Sequence, residues 1–138
     1  VEQKLFESAG GQIALSLPSD WVQEPNESGV MIYPPDRDGC TLFVDVLTFS
    51  RPPDSPPRQE PGFISHPAGG WWKESVTTER DDGVDIRVTS WDMMFDLPGY
   101  KVVVPCISWV VEEVYATELP YMQALNTVRQ AIENLQLR

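Results

Sequence analysis

The side chains that could carry chemistry are few and widely separated. His66 is the only histidine, so a Ser-His-Asp triad or a two-histidine metal site must use it or fail. It stands between Ser65 and Pro67, without a second base or ligand at regular spacing. That context reads as an exposed or packing imidazole rather than a loop base beside a Cys or Asp. Cys40 and Cys106 form no metal motif, and the sequence points to no base beside either, so neither reads as a nucleophile. They could pair if the fold joined them in an oxidising compartment; two small buried or half-buried thiols is the plainer reading. Asp36/Asp38 and Asp81/Asp82 sit where turns use Asp for local backbone hydrogen bonds. Glu112 and Glu113, adjacent in a strand, would point to opposite faces and make no acid–base dyad. Asp36-Arg37-Asp38-Gly39 is too short for a calcium loop. Gly69-Gly70 lacks the later glycine, or the Lys-Ser/Thr, of a nucleotide-binding loop. No catalytic residue, metal ligand or cofactor-binding residue is assigned, and the expectation is a chain that is not an enzyme.

Gly69-Gly70-Trp71-Trp72, at the end of a proline-rich stretch, rises above this background. Adjacent strand residues face opposite ways, so one indole can enter the core while the other lies on the far face. An outward tryptophan is large, amphipathic and enriched at protein-binding hot spots. The plainer reading has both indoles covered. Trp71, Trp72, Phe63 and His66 are the candidate partner-binding residues, with Trp91 and Trp109 in neighbouring strands extending the aromatic strip.

The 138 residues carry a formal net charge of −11. Such a surface repels phosphate backbones and excludes nucleic-acid binding as the expected function. It favours cationic partners. No apolar run approaches the roughly 20 residues of a membrane span, and no basic segment precedes an apolar one as in a signal peptide. A start at Val1 fits removal of an initiator methionine, which favours the cytoplasm. It also fits a processed N-terminus, which leaves the periplasm or a lumen open.

The elements that must position these residues are mostly strands. After a lead-in broken at Gly10-Gly11, residues Gln12 to Leu17 alternate as a strand, with Trp21 anchoring the core edge beyond it. Gly29–Tyr33 and Thr41–Phe49 flank the turn chemistry of Pro34 to Gly39 and should form a hairpin. Arg51 to Gly70 contains six prolines, which forbid a continuous helix or a central strand. It reads as an irregular crossover loop with room for one helical turn. Trp72–Arg80, Val84–Phe95 and Tyr100–Val111 form a meander joined at Asp81-Asp82-Gly83 and at Leu97-Pro98-Gly99. Pro105 should make the last strand bend, bulge or lie at an edge. The spacing of Leu125, Val128, Ile132 and Leu135 predicts an amphipathic helix within Thr117–Leu137, capped by Thr117 and closed by a short extended tail. A helix this short needs a surface to lie on. The prediction is one α+β domain over 1–138: about six antiparallel strands in the order β-β-β-loop-β-β-β-α, with the helix on one face.

Ile13-Ala14-Leu15-Ser16-Leu17-Pro18-Ser19-Asp20-Trp21 resembles the opening strand of the PsbP-like superfamily, which ends in "LP-x-x-W". The closing Ala131-Ile132-Glu133-Asn134-Leu135-Gln136-Leu137 is similar to its terminal "I-x-x-S-L-x-L", with Asn134 in place of the usual Ser. The superfamily includes photosystem II extrinsic subunits, bacterial DcrB-type proteins, a Ran-binding nuclear import factor and chaperones of type VI secretion effectors. The resemblance implies an α/β sandwich on an antiparallel sheet and a protein that binds other proteins. It transfers no catalytic residue. The chain departs from many relatives at Arg51–Gly70, where the prolines leave little of a covering helix.

The reading is therefore a non-catalytic adaptor or chaperone-like module that recognises another polypeptide with a basic or apolar segment. The alternative is a small-molecule-binding protein or enzyme with its site between the sheet and the 51–70 loop.

Overall fold

The computed structural model describes residues 2–53 and 61–138. Ten strands and one helix follow in the order β1 (Gln3–Glu7), β2 (Ile13–Pro18), β3 (Val22–Pro25), β4 (Val30–Tyr33), β5 (Cys40–Ser50), β6 (Ile64–Ser65), β7 (Trp71–Asp81), β8 (Val84–Leu97), β9 (Lys101–Glu112), α1 (Leu119–Glu133) and β10 (Gln136–Leu137). This is an α+β fold with more strands than the alternation shows. They form a seven-stranded sheet ordered β3-β4-β5-β9-β8-β7-β6 and a three-stranded sheet ordered β1-β2-β10. All the pairings are antiparallel.

The opening strand leaves the main sheet. Ile13, Leu15 and Leu17 do share a buried face, but β2 pairs with β1 and β10. The lead-in Gln3–Glu7 and the segment Val22–Pro25, neither of which alternates convincingly, become strands because a neighbour supplies the ladder. The hairpin β4–β5 and the meander β7–β8–β9 form as the turn signals predict. Asp82 and Gly83 both take positive φ, 53° and 81°, as a two-residue hairpin loop requires.

Pro105 lies in β9, the central strand of the large sheet, so it marks no edge. Nor does it mark a bulge. The β8–β9 register is the same at Asp92↔Cys106 and Phe95↔Val103, and pairing lapses only at Met93 and Met94 between them. The ladder to β5 runs through Val46↔Pro105. One N–H is missing, and the ladder to β8 is interrupted beside it, at Met93 and Met94.

The helix begins with Glu118 at the N-cap, which makes no side-chain cap bond. Thr117 is not the cap. Pro120 sits in the first turn, where no N–H is needed. Val128 and Ile132 are fully buried, Ala124 and Ala131 nearly so, and Leu125 is half-buried. Leu135 lies past the helix end yet is buried as well. Each fully buried Val or Ile contributes about 1.5–3 kcal/mol.

One face of the large sheet carries Leu42, Val44, Trp91, Met93, Phe95, Val103, Ile107, Trp109 and Val111, all buried. This inner face packs in one core cluster with Phe6, Ile13, Leu15 and Leu17 of the small sheet and with the helix. Trp21 stacks on Trp109 with centroids 5.9 Å apart. Trp91 and Trp109 thus belong to the core and extend no surface strip. The helix reaches β7 through Arg129, which bonds Glu74, and the turn before β5 through Tyr121, whose hydroxyl donates to Asp38 O. The small sheet serves the β3–β4 side, where Gln23 Nε2 donates to Glu7 O.

The predicted crossover 51–70 is described only at its ends. Residues 54–60, and the helical turn allowed there, lie outside the described residues. Its second half holds β6, two residues long, beside β7.

Candidate functional site

The other face of the large sheet decides what the chain can present. Register places Leu47 opposite Val104 and Trp71 opposite Met94. The unchanged β8–β9 register aligns Met94 with Val104. Leu47, Val104, Met94 and Trp71 therefore form one apolar row across four strands. Leu47 is 55% exposed and the other three are half-buried. Phe49, 48% exposed, stands beside Val102 in the adjoining row.

On the opposite side of the apolar row runs a polar one. Asp45 faces Cys106, Cys106 faces Asp92, and Asp92 faces Lys73. No described group forms an ion pair with Asp45 or Asp92. Burial, then the charges of Asp92 and Asp45, push the Cys106 thiol up from its ordinary value. The row is thus an apolar stripe bordered by Asp45 and Asp92, with Lys73 beside Asp92, set on paired strands.

The four sequence candidates separate. Trp71 lies in the apolar row and keeps part of its indole at the surface. Trp72, its neighbour in β7, turns to the inner face and packs against the core cluster. Gly69 and Gly70 make this transition, Gly69 with φ of 99°. At Gly70 a Cβ would lie 2.3 Å from Met94 O and 2.4 Å from the Phe95 ring. Phe63 is half-buried, and Ile64 beside it is 63% exposed.

His66 is buried at 3% exposure, and its side chain is withdrawn from any partner. Ala68 N–H donates to Nδ1 at 3.0 Å, so Nδ1 is the unprotonated nitrogen. Nε2–H then donates to Ile132 O at 2.9 Å. The ring meets Trp72 and Phe95 edge-on at centroid distances of 4.8 and 5.2 Å. Burial lowers its pKa, against smaller opposing effects of the Ile132 carbonyl and the Glu133 charge. His66 ties the loop to the helix C-terminus, where carbonyls lack intrahelical partners.

Cys40 lies on the inner face and Cys106 on the outer, both as free thiols. They cannot pair through the sheet. Burial pushes the Cys40 thiol up to about 11. Among the described residues, no group of three or more His, Cys, Asp or Glu could hold a metal ion. None of the described helices is long and apolar enough to cross a membrane.

An open cleft of about 650 Å³ lies between β1 and the β3–β4 edge, lined by Leu5, Ser8, Glu24, Val30 and Arg138 among others. A smaller one, of about 320 Å³, lies at Gln3, Ser16 and the helix end. No described residue of the 51–70 segment lines either.

The sequence reading missed Leu47, Val104, Met94, Asp45 and Asp92. A signal was present: Cys40 to Phe49 is apolar at both parities, with Leu42, Val44 and Val46 on one face and Phe43, Leu47 and Phe49 on the other. Such a run marks a strand with apolar demand on both faces. Only the sheet order shows that the second demand aligns across four strands.

No protein-family model matches the chain. No curated protein matches it. Solved structures do share its fold. A crystal structure from Bacteroides thetaiotaomicron VPI-5482 matches with a TM-score of 0.67 at 16% identity, over 100% of this chain and 49% of that one. This chain therefore spans about half the length of that protein. LpqN, described as involved in cell envelope biogenesis of Mycobacterium tuberculosis, matches with a TM-score of 0.55 at 15% identity, over 99% of this chain and 90% of LpqN. Identities this low establish a shared fold alone.

Proposed function

We propose that the chain is a non-catalytic accessory module that holds an extended polypeptide segment on the outer face of its large sheet. The observation that carries this reading is the row Leu47–Val104–Met94–Trp71 bordered by the carboxylates of Asp45 and Asp92, which form no ion pair among the described residues. The ligand it fits has apolar side chains that cover the row and Lys or Arg residues that meet the border. The indole of Trp71 supplies desolvated area, and the net charge of −11 steers a basic segment toward it. The PsbP-like resemblance of the opening strand and the closing Ile132–Leu137 segment supports the same class, since that superfamily mostly binds other proteins. An accessory role is also compatible with LpqN, the structural neighbour involved in cell envelope biogenesis.

The test is a peptide array of mixed composition, probed with the wild type and with Trp71→Ala and Asp45→Asn/Asp92→Asn variants. Expected hits combine apolar residues with flanking Lys or Arg. Trp71→Ala should leave the melting temperature nearly unchanged and weaken the hits by about 2 kcal/mol or more. The double Asn variant should slow association and reduce its salt dependence. Hits that bind both variants as well as the wild type would place the binding surface elsewhere, and hits without apolar–basic character would refute the stated ligand chemistry.

A further inference from the structure

We propose that two copies of this chain pair edge to edge, antiparallel, through Lys73–Asp81 of β7, about a two-fold axis at Thr77. This goes beyond the polypeptide-binding reading and does not depend on it.

The strand offers an open edge. β6 covers β7 only at Trp71 and Trp72, and no described strand pairs with the outer side of Lys73–Asp81. An unpaired edge exposes a row of N–H and C=O groups that can template pairing with another chain.

The direction of those groups follows from two hydrogen bonds. His66 N–H donates to Gly70 O at 2.7 Å, so at β7 the even-numbered residues turn their backbone groups toward the edge. At the other side of the hairpin, Glu113 N–H donates to Asp85 O. Odd residues of β8 therefore face β9 and even ones face β7. The β7–β8 register pairs even β8 residues with odd β7 residues, as in Thr77↔Val88. Both routes agree: Glu74, Val76, Thr78 and Arg80 turn their N–H and C=O groups outward, where they meet no strand among the described residues.

That parity restricts the dimer. In an antiparallel pair, two facing residues exchange both bonds only if both turn their groups toward each other. Under two-fold symmetry the axis must then pass through a residue rather than between two. Thr77 is the midpoint of the open edge. An axis there sets Glu74 opposite Arg80 of the second copy and Val76 opposite Thr78, and the symmetry repeats both. About eight backbone hydrogen bonds result, two for each of four facing pairs.

The charges agree with this register. Lys73 faces Asp81 of the second copy on the outer side; on the inner side Arg80, paired in its own chain with Asp85, stands opposite Glu74, which already accepts from Arg129 and Trp91. Ser75 faces Glu79, and Thr77 faces its own equivalent. No like charges stand opposite each other. Moving the axis to Thr78 would carry Glu74 past the strand end to Asp82 in the turn, and moving it to Val76 would leave three facing pairs instead of four, because β6 occupies Trp72. Opposite charges directly across a strand pair are favourable and like charges are not. The same charges scattered at random on an edge would serve only to block association; their mirror arrangement about Thr77 is what singles out a second copy as the occupant.

The experiment combines sedimentation with a cysteine scan of the full chain. The wild type should show a monomer–dimer equilibrium between micromolar and millimolar concentration. Thr78→Pro removes an outward N–H but none of the β7–β8 bonds, so it should abolish the dimer and spare the fold. Asp81→Lys alone should weaken the dimer at least tenfold by facing Lys73. Lys73→Asp alone should weaken it, and Lys73→Asp/Asp81→Lys should restore it. In a Cys106→Ser background, Thr77→Cys should form an intermolecular disulfide under mild oxidation. Its position is a non-hydrogen-bonded pair with Cα atoms about 4.5 Å apart, within disulfide reach. Ser75→Cys, which faces Glu79, should not. A wild type that stays monomeric throughout this range overturns the proposal. So does a dimer that survives Thr78→Pro, or one that cross-links equally at both positions.

Discussion

Replacing His66 with Ala removes a side chain that is 3% exposed and joins two elements far apart in the chain. Two hydrogen bonds are lost, Nε2–H to Ile132 O and Ala68 N–H to Nδ1. At about 1 kcal/mol each they account for about 2 kcal/mol. Ile132 O keeps a longer bond, 3.3 Å, from Leu135 N–H, so that carbonyl is not orphaned. The edge contacts with Trp72 and Phe95 add about 0.5–1.5 kcal/mol each. The expected loss is about 3–5 kcal/mol, and at about 3 °C per kcal/mol for a chain of this size the melting temperature falls by about 9–15 °C. The loss also depends on pH, and the sign follows from the lowered pKa. Above pH 6.5 the imidazole is neutral in both folded and unfolded chains, and its full contribution is present. As pH falls below 6.5 the unfolded chain takes up a proton that the folded one refuses, so stability is lost, by at most about 1.4 kcal/mol per pH unit. Urea unfolding of wild type and His66→Ala between pH 8 and 5 measures this directly. The gap between the two proteins should narrow on acidification, while carboxylate titrations common to both cancel. A gap that stays constant or widens would show that the buried, neutral imidazole has been misassigned.

Glu74 accepts from Trp91 Nε1 at 2.7 Å and from Arg129 at 3.0 and 3.1 Å. Arg129→Ala breaks only a half-exposed ion pair and should cost less than about 1 kcal/mol. Glu74→Ala strands the buried indole N–H and should cost about 1–3 kcal/mol; equal effects in denaturant melts would contradict this hierarchy. Ile132→Asp places an unpaired charge in the core and should unfold the chain, read by loss of cooperative melting. A reducing agent should leave the melting temperature unchanged, because the two thiols lie on opposite faces of the sheet. Both should also alkylate slowly at pH 8, since each thiol pKa is raised, that of Cys40 to about 11.

Local pattern was enough for the elements whose signals are local. The β4–β5 hairpin, the turns at Asp82-Gly83 and Gly99, and the buried stripe through Val128 and Ile132 follow from periodicity and turn chemistry within a few residues. β1 and β3 were not legible, because their ladders are supplied by neighbours rather than by their own alternation. His66 shows the same limit. Its type and its setting beside Pro67 leave an exposed and a packing imidazole equally open, and its partner is a helix carbonyl 66 residues away. Trp91 and Trp109 read as surface candidates until the parity of β8 and β9 against β5 is known.

From the amino-acid order alone came the α+β class, the absence of a motif for metal or nucleotide chemistry, and the position of one tryptophan on each face of β7. Those properties depend on residue type and on the two-residue period of a strand. Tertiary structure decided the rest: that the opening strand leaves the main sheet, that Leu47, Val104, Met94 and Trp71 align, and that Asp45 and Asp92 border them. Alignment across a sheet depends on strand order and register, which are set by the packing of residues distant in sequence, and no local window contains that information.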